Sequence, residues 1–182
     1  MAEGKAAWFA SRTAVLVALI LFVVAFLAPV QSIRANGDTA LDGHYWGSNA
    51  PDEDAETWFA AEDERGDIGE AQDKLRASTV FAALALAFGI VAWVAWPEPQ
   101  RKPAAWALAA GGAAIVAFIL FLDGFDTYHQ LFEVVFGFLG GDVDKIPHVG
   151  WFASVAAIVL WGVAGFLHIR DEKPSDEVPP GP

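Results

Sequence analysis

Three histidines and one aspartate in this chain could together hold a transition metal. Imidazole and carboxylate ligands suit copper, zinc or iron, and these residues fall in polar segments. They are His44, His129, His148 and Asp126. The fourth histidine, His168, ends an apolar run and is predicted to lie at the opposite membrane face. The spacing matches no known metal motif, so histidines hydrogen-bonded to their neighbours are the favoured interpretation.

Two acidic segments could bind divalent cations weakly. They read Asp52-Glu53-Asp54-Ala55-Glu56 and Asp142-Val143-Asp144. Oxygen ligands at alternating positions are typical of calcium loops, but Thr57 stands where an EF-hand has its turn glycine. A solvated acidic patch is therefore favoured over a calcium site.

Composition excludes several classes of function. The chain has no cysteine, which removes disulfides, thiol chemistry and cysteine-ligated metals. Its formal charge of −12 opposes binding to nucleic acid. It also has no nucleophile–base motif, phosphate loop or zinc-protease helix. We therefore expect a protein that is not an enzyme and has no cofactor of its own.

Four apolar runs must position these residues. Each is close to the roughly 20 residues that a helix needs to cross a bilayer, and none contains Asp, Glu, Lys or Arg. The runs cover residues 13–30, 79–96, 104–122 and 150–169. Because they hold no acidic or basic residue, a pump or a proton-coupled transporter is disfavoured. The sequence predicts an all-α membrane protein, a bundle of four transmembrane helices with a small extracytoplasmic cap from the first loop.

The segments outside the runs differ in charge, which predicts their side of the membrane. They are a leader (1–12), an acidic loop (31–78), a proline-rich turn (97–103), a second polar segment (123–149) and a disordered tail (170–182). Lys and Arg are denser in the leader, the turn and the tail. Both termini are therefore predicted to be cytoplasmic, in a multi-pass protein of the cell membrane. The first run is long for a signal peptide and Pro29 makes a poor cleavage site, so an uncleaved span is preferred.

The first loop is predicted to bind a partner. Between positions 31 and 77 it carries twelve acidic and four basic residues, and it is too long to lack structure. Residues 62–77 predict a polar helix that leads into the second span, and residues 38–46 a short strand or turn. The predicted partner contacts are Trp46, Trp58, Asp52, Asp54 and Glu56. In the second segment, residues 131–139 are expected to extend the third span or to lie at the interface.

Small residues predict how the helices pack. Alanines lie four apart on the third run and again on the second, which lets helix backbones approach closely in lipid. The residues are Ala105, Ala109, Ala113 and Ala117, with Ala83 and Ala87.

The layout resembles a family of four-span proteins. The first loop contains Gly43-His44-Tyr45-Trp46-Gly47, and Asp73-Lys74-Leu75-Arg76-Ala77-Ser78 enters the second span. These elements, with a long third span that projects through residues 132–138, resemble the claudin and peripheral-myelin-protein-22 superfamily. The paired loop cysteines of that family are absent here. The resemblance implies a non-enzymatic protein that works through contacts of its outer loops.

Three functions are consistent with these patterns. The first is a structural or accessory subunit, or an adhesion or barrier element, which contacts membrane lipid and binds other membrane proteins or itself. The alternative is a subunit of a respiratory, photosynthetic or oxidase complex that holds a metal or pigment through the histidine set. A small pore formed by oligomerisation is the third.

Overall fold

The computed structural model describes residues 2–46, 62–97 and 102–171. Four helices and three strands lie within these ranges. The helices are α1 (Ala2–Leu27), α2 (Glu62–Ala95), α3 (Pro103–Phe138) and α4 (Val149–Asp171); the strands are β1 (Gln31–Ala35), β2 (Asp38–Gly43) and β3 (Val143–Pro147).

All four helices are long and apolar enough to cross a membrane, as the sequence predicts. The polar stretch 62–77 is part of one continuous α2, which confirms the predicted lead-in helix. With 36 residues, α3 is about 54 Å long, whereas the hydrocarbon core of a bilayer is about 30 Å thick. Residues 131–138 continue the third helix without a break, as one of the two expectations for this segment required.

The helices form a ring in which each packs mainly against two neighbours. The most extensive contacts are between α2 and α3 and between α1 and α4, and the ring is completed by α3 with α4 and α1 with α2. α2 ends two residues before Pro97, and Pro103 is the first residue of α3. Proline cannot continue a helix but fits its first turn, so this segment produces an antiparallel hairpin.

The buried small residues are only partly those predicted. Ala113 and Ala117 are buried on α3, but Ala105, Ala83 and Ala87 are exposed. On α2 the buried face instead carries Ala82, Ala85 and Ala92. Because both faces of a membrane helix are apolar, hydrophobic periodicity does not distinguish the face in the bundle from the face toward lipid.

The centre of the bundle is filled by Trp161 of α4, which is fully buried. Its ring lies 5.3 Å from that of Phe22 on α1. A Cβ at Gly89 of α2 would lie only 2.8 Å from Trp161, so the indole needs a glycine at that position. This agrees with the expectation that a tryptophan in mid-span serves packing.

A three-stranded sheet corrects the all-α prediction. Its order is β2-β1-β3 and both pairs are antiparallel. Asn36 and Gly37 form the two-residue turn between β1 and β2, with φ of 52° and 86°, and Asn-Gly is the strongest short hairpin signal. β2 confirms a strand within residues 38–46, but β3 comes from the second segment. The cap is therefore not made by the first loop alone.

Close backbone contacts fix the sheet to the bundle. Gly150 N donates to Pro29 O at 3.0 Å, and a Cβ at Gly150 would lie 2.6 Å from that oxygen. His148 N donates to Val30 O at 2.9 Å. The end of α1 and the start of α4 thus meet directly below β1. We call this end of the bundle, with β1, β2 and β3 on it, the sheet end.

Candidate functional site: the sheet end of the bundle

Tyr45 fixes the segment after β2 into the bundle. Its side chain is only 1% exposed. The ring lies 5.9 Å from Phe22 of α1 and 5.4 Å from Phe121 of α3. Thr79 of α2 donates to the Tyr45 carbonyl at 2.5 Å. With Ser154 of α4 bonded to its hydroxyl, Tyr45 contacts all four helices.

The hydrogen bonds at Ser154 assign the proton of the Tyr45 hydroxyl. Ser154 Oγ donates to Gly150 O at 2.8 Å. A serine hydroxyl has one proton, so at the 3.1 Å contact it accepts from Tyr45. Burial raises the pKa of the Tyr45 hydroxyl, and the bond to Ser154 opposes this only in part. Tyr45 therefore stays neutral and acts as a structural anchor.

Gly43 lets the sheet come this close to α3. A Cβ built on Gly43 would lie 2.6 Å from both Phe121 and Phe125. These two rings stack at 5.4 Å and an interplanar angle of 14°. A side chain at position 43 would force the rings or the strand to move.

Ser32, Asp42 and His148 form a cluster on one face of the sheet. Ser32 Oγ donates to the Asp42 carboxylate. Its second contact, with His148 Nε2 at 2.6 Å, is one in which Ser32 must accept. The Nε2 atom of His148 is therefore protonated in this arrangement. Ser32 and Asp42 are cross-strand partners in β1 and β2, so the cluster links both strands to the start of α4.

This cluster lacks the order of a catalytic triad. In a triad, the imidazole lies between carboxylate and hydroxyl and removes the hydroxyl proton. Here the serine lies between the other two groups, and its proton points to the carboxylate. Ser32 is also 0% exposed, so no substrate reaches its oxygen. The arrangement suits a structural link.

Trp46 lies beside this anchor and is 55% exposed. Its Nε1 donates to Leu27 O at 3.3 Å, one of the last carbonyls of α1. The His44 ring lies 5.2 Å from it. Trp46, one of the predicted partner contacts, is thus held in place with its ring at the surface. Asp52, Asp54, Glu56 and Trp58 lie outside the described residues.

The four predicted metal ligands are not brought together. Asp126 pairs with Lys145, His129 Nε2 lies 3.9 Å from a Glu133 oxygen, and His148 bonds Ser32. Over residues 2–46, 62–97 and 102–171, no three histidine or acidic side chains are close enough to share a metal ion. The prediction treated two polar segments as one surface, but β2, α3 and β3 hold these residues apart.

The predicted acidic pair at 142–144 takes part in the sheet. Asp142 accepts from Asn36 N at 2.9 Å through its backbone carbonyl, and Asp144 lies in β3 opposite Arg34. The other acidic run, at 52–56, lies outside the described ranges.

Large apolar side chains are exposed at the far end of α3. Val134 is 64% exposed, Phe138 90% and Leu139 73%. We call these three residues the α3 tip. On α3 they follow the charged residues Asp123 and Asp126. The exposed apolar residues in the first part of α3, such as Ile119, precede those two aspartates.

No sequence family and no curated protein matches this chain. Sequence reasoning missed Tyr45 and Ser32 as organising residues. For Tyr45 a signal existed, because it stands between two glycines in the 43–47 element.

Proposed function

We propose that this chain is a non-enzymatic integral membrane protein that binds another protein through its sheet end. It would act as a structural or accessory subunit, or as an adhesion or barrier element. The observation that carries the proposal is the α3 tip, whose Phe138 is 90% exposed.

The position of the tip favours a protein as its cover. Asp123 is the first charged residue after the apolar run, and Phe138 lies 15 residues further along the same helix. At 1.5 Å per residue that is about 22 Å beyond Asp123. Lipid tails do not reach that far, and contiguous apolar side chains in water mark interaction sites.

The sheet end also offers a rigid surface for such a partner. Tyr45 holds its segment against all four helices, and Trp46 follows directly with its ring exposed. Aromatic residues on a fixed backbone lose little entropy on binding and are enriched at interaction hot spots. The edge strands β2 and β3 lie on the same end.

The non-enzymatic part of the proposal rests on Ser32. Its burial and its bond to Asp42 leave the Ser32–His148 pair without access or activation. On the basis of the sequence elements quoted above, we also propose that this chain belongs to the claudin-like group. Both termini would lie in the cytoplasm and the sheet end outside.

Purification from native membranes tests this function. The tagged protein, isolated in mild detergent, is expected to carry a second membrane protein or another copy of itself at stoichiometric amount. An absorption scan and metal analysis of the same peak separate the alternative, because a bound pigment or metal would favour a cofactor-holding subunit. A lone, colourless monomer in several detergents would oppose the proposal.

A further inference from the structure

A cleft opens between α1 and α2 at the end of the bundle opposite the sheet end. Its volume is about 200 Å³, and it is lined by Arg12, Thr13, Leu16 and Trp93. The contact between α1 and α2 is the least extensive of the four contacts in the ring. Thr13 and Leu16 are exposed on α1, so the cleft is open to the outside of the bundle.

Arg12 gives this cleft its charge. Its guanidinium carbon lies 5.8 Å from the centre of the Trp93 ring. A cation over the face of an indole is attracted to it, and stacking of this kind holds the guanidinium plane in place. Arg12 is partly exposed and lines the cleft. The planar fork of an arginine matches the oxygens of a phosphate group.

The depth of Arg12 in the helix favours a membrane anion as its ligand. Arg12 lies within the apolar stretch Ala10–Leu27, not before it. Leu27 follows 15 residues later in α1, which is about 22 Å, whereas the hydrocarbon core of a bilayer is about 30 Å thick. A charge at this depth is unfavourable unless the side chain extends to the headgroups. Trp93 lies beside it, and tryptophan prefers that level.

The two ends of the bundle differ in charge. Among the side chains that the structure describes at the end with the cleft, the charged ones are Arg12, Lys102 and Arg170, and all three are cations. At the sheet end, Lys74 and Lys145 lie against carboxylates. The whole chain carries a charge of −12, so it does not attract anionic lipid in general. Any preference for such a lipid must come from a local site.

We propose that this cleft binds an anionic phospholipid. Its phosphate accepts hydrogen bonds from the Arg12 guanidinium, and the first part of an acyl chain lies against Leu16. A zwitterionic lipid is disfavoured, because its own cation would lie among the cations of this end. The inference goes beyond the protein partner, since it concerns the opposite end of the bundle and does not depend on the α3 tip.

Native mass spectrometry of the whole protein tests it. The protein is held in an uncharged detergent and titrated with phosphatidylglycerol or with phosphatidylcholine of the same acyl chains. We expect phosphatidylglycerol to bind about fivefold more tightly, the factor that one arginine near a membrane surface contributes. Glycerol 3-phosphate should not bind measurably, because it lacks the chains. Equal affinity for the two lipids, as in a cleft filled by a carboxylate of the protein itself, would overturn the proposal. So would glycerol 3-phosphate binding as tight as the lipid.

Substitutions at the cleft give a second test. Arg12→Gln removes the charge and should reduce the preference for phosphatidylglycerol to less than about twofold. Arg170→Gln is the matched control, because it removes an exposed cation from the same end on α4 and should keep the preference. Equal losses in the two variants would show a diffuse effect of charge and refute the site. If Arg12→Gln does not fold, Trp93→Leu decides, because it removes the ring under the guanidinium: an unchanged lipid preference refutes the site.

Discussion

The Tyr45 hydroxyl lies 3.1 Å from Ser154 Oγ and joins the segment after β2 to α4. Because Ser154 donates to Gly150, the tyrosine must donate here. Tyr45→Phe removes one buried hydrogen bond and should lower the free energy of unfolding by about 1 kcal/mol. Tyr45→Ala also leaves a cavity and should lower it by about 3–5 kcal/mol. Denaturant unfolding in detergent measures both.

The exposed neighbour Trp46 provides the control for that series. Its side chain is 55% exposed, so Trp46→Ala should have a much smaller effect on stability than Tyr45→Ala. If the two alanine variants unfold at the same denaturant concentration, Tyr45 is not the anchor described above.

Alkaline pH should weaken the same anchor. Burial raises the pKa of the Tyr45 hydroxyl, so the folded state holds its proton where the unfolded chain releases it. The contribution of the protonated Tyr45 hydroxyl to the free energy of unfolding is complete below about pH 10, the ordinary tyrosine pKa. It is lost progressively as pH rises above that value. Compared at pH 8 and pH 11, Tyr45→Phe should lose less stability than the wild type. A parallel loss in both proteins would exclude this contribution.

Gly43 should not tolerate a side chain. In Gly43→Ala the new Cβ meets Phe121 and Phe125 at 2.6 Å, and overpacking of this kind lowers stability by about 1–3 kcal/mol. Gly112→Ala is the matched control, because a Cβ there meets nothing within 4 Å. In mid-helix that change should be neutral or stabilising by up to about 1 kcal/mol. Equal thermal stability of the two variants would contradict the close approach of the sheet to α3.

Ser32 should be inert toward serine-hydrolase probes. Its oxygen is buried, and its proton is directed to Asp42. A fluorophosphonate probe should therefore leave the folded protein unlabelled, with a known serine hydrolase in the same membranes as positive control. Labelling that disappears in Ser32→Ala would show a reactive serine and refute the non-enzymatic proposal.

The natural absence of cysteine makes orientation directly measurable. Thr39 is exposed on β2, so Thr39→Cys should react with a membrane-impermeant maleimide added to intact cells. Ser175→Cys in the tail should react only after the membrane is opened. The reverse pattern would place the sheet end in the cytoplasm.

The helices were predictable from sequence, but the sheet only in part. Length and apolarity determine the four helices, and Pro97 and Pro103 delimit the hairpin between α2 and α3. The Asn36-Gly37 turn has a local signal for the β1–β2 hairpin. The pairing of β1 with β3 has none, because more than 100 residues separate Arg34 from Asp144.

The candidate site was less predictable for a physical reason. The metal hypothesis used residue type and the predicted polar segments, whereas pairing partners such as Lys145 for Asp126 and Ser32 for His148 arise only from the fold. Exposure likewise depends on helix rotation. Phe136 and Phe138 are both phenylalanines in the same apolar stretch, but Phe138 is 90% exposed and Phe136 is partly buried.

Site-specific photo-crosslinking at Phe138 tests the central claim most directly. Benzoylphenylalanine at this position, in living cells, is predicted to form a covalent adduct with one defined protein, which mass spectrometry identifies as a partner or a second copy. Phe166, 64% exposed on α4 within the span, is the matched control and should give no such adduct. Adducts of equal pattern at both positions, or none at Phe138 in the native host, would contradict partner binding through the α3 tip.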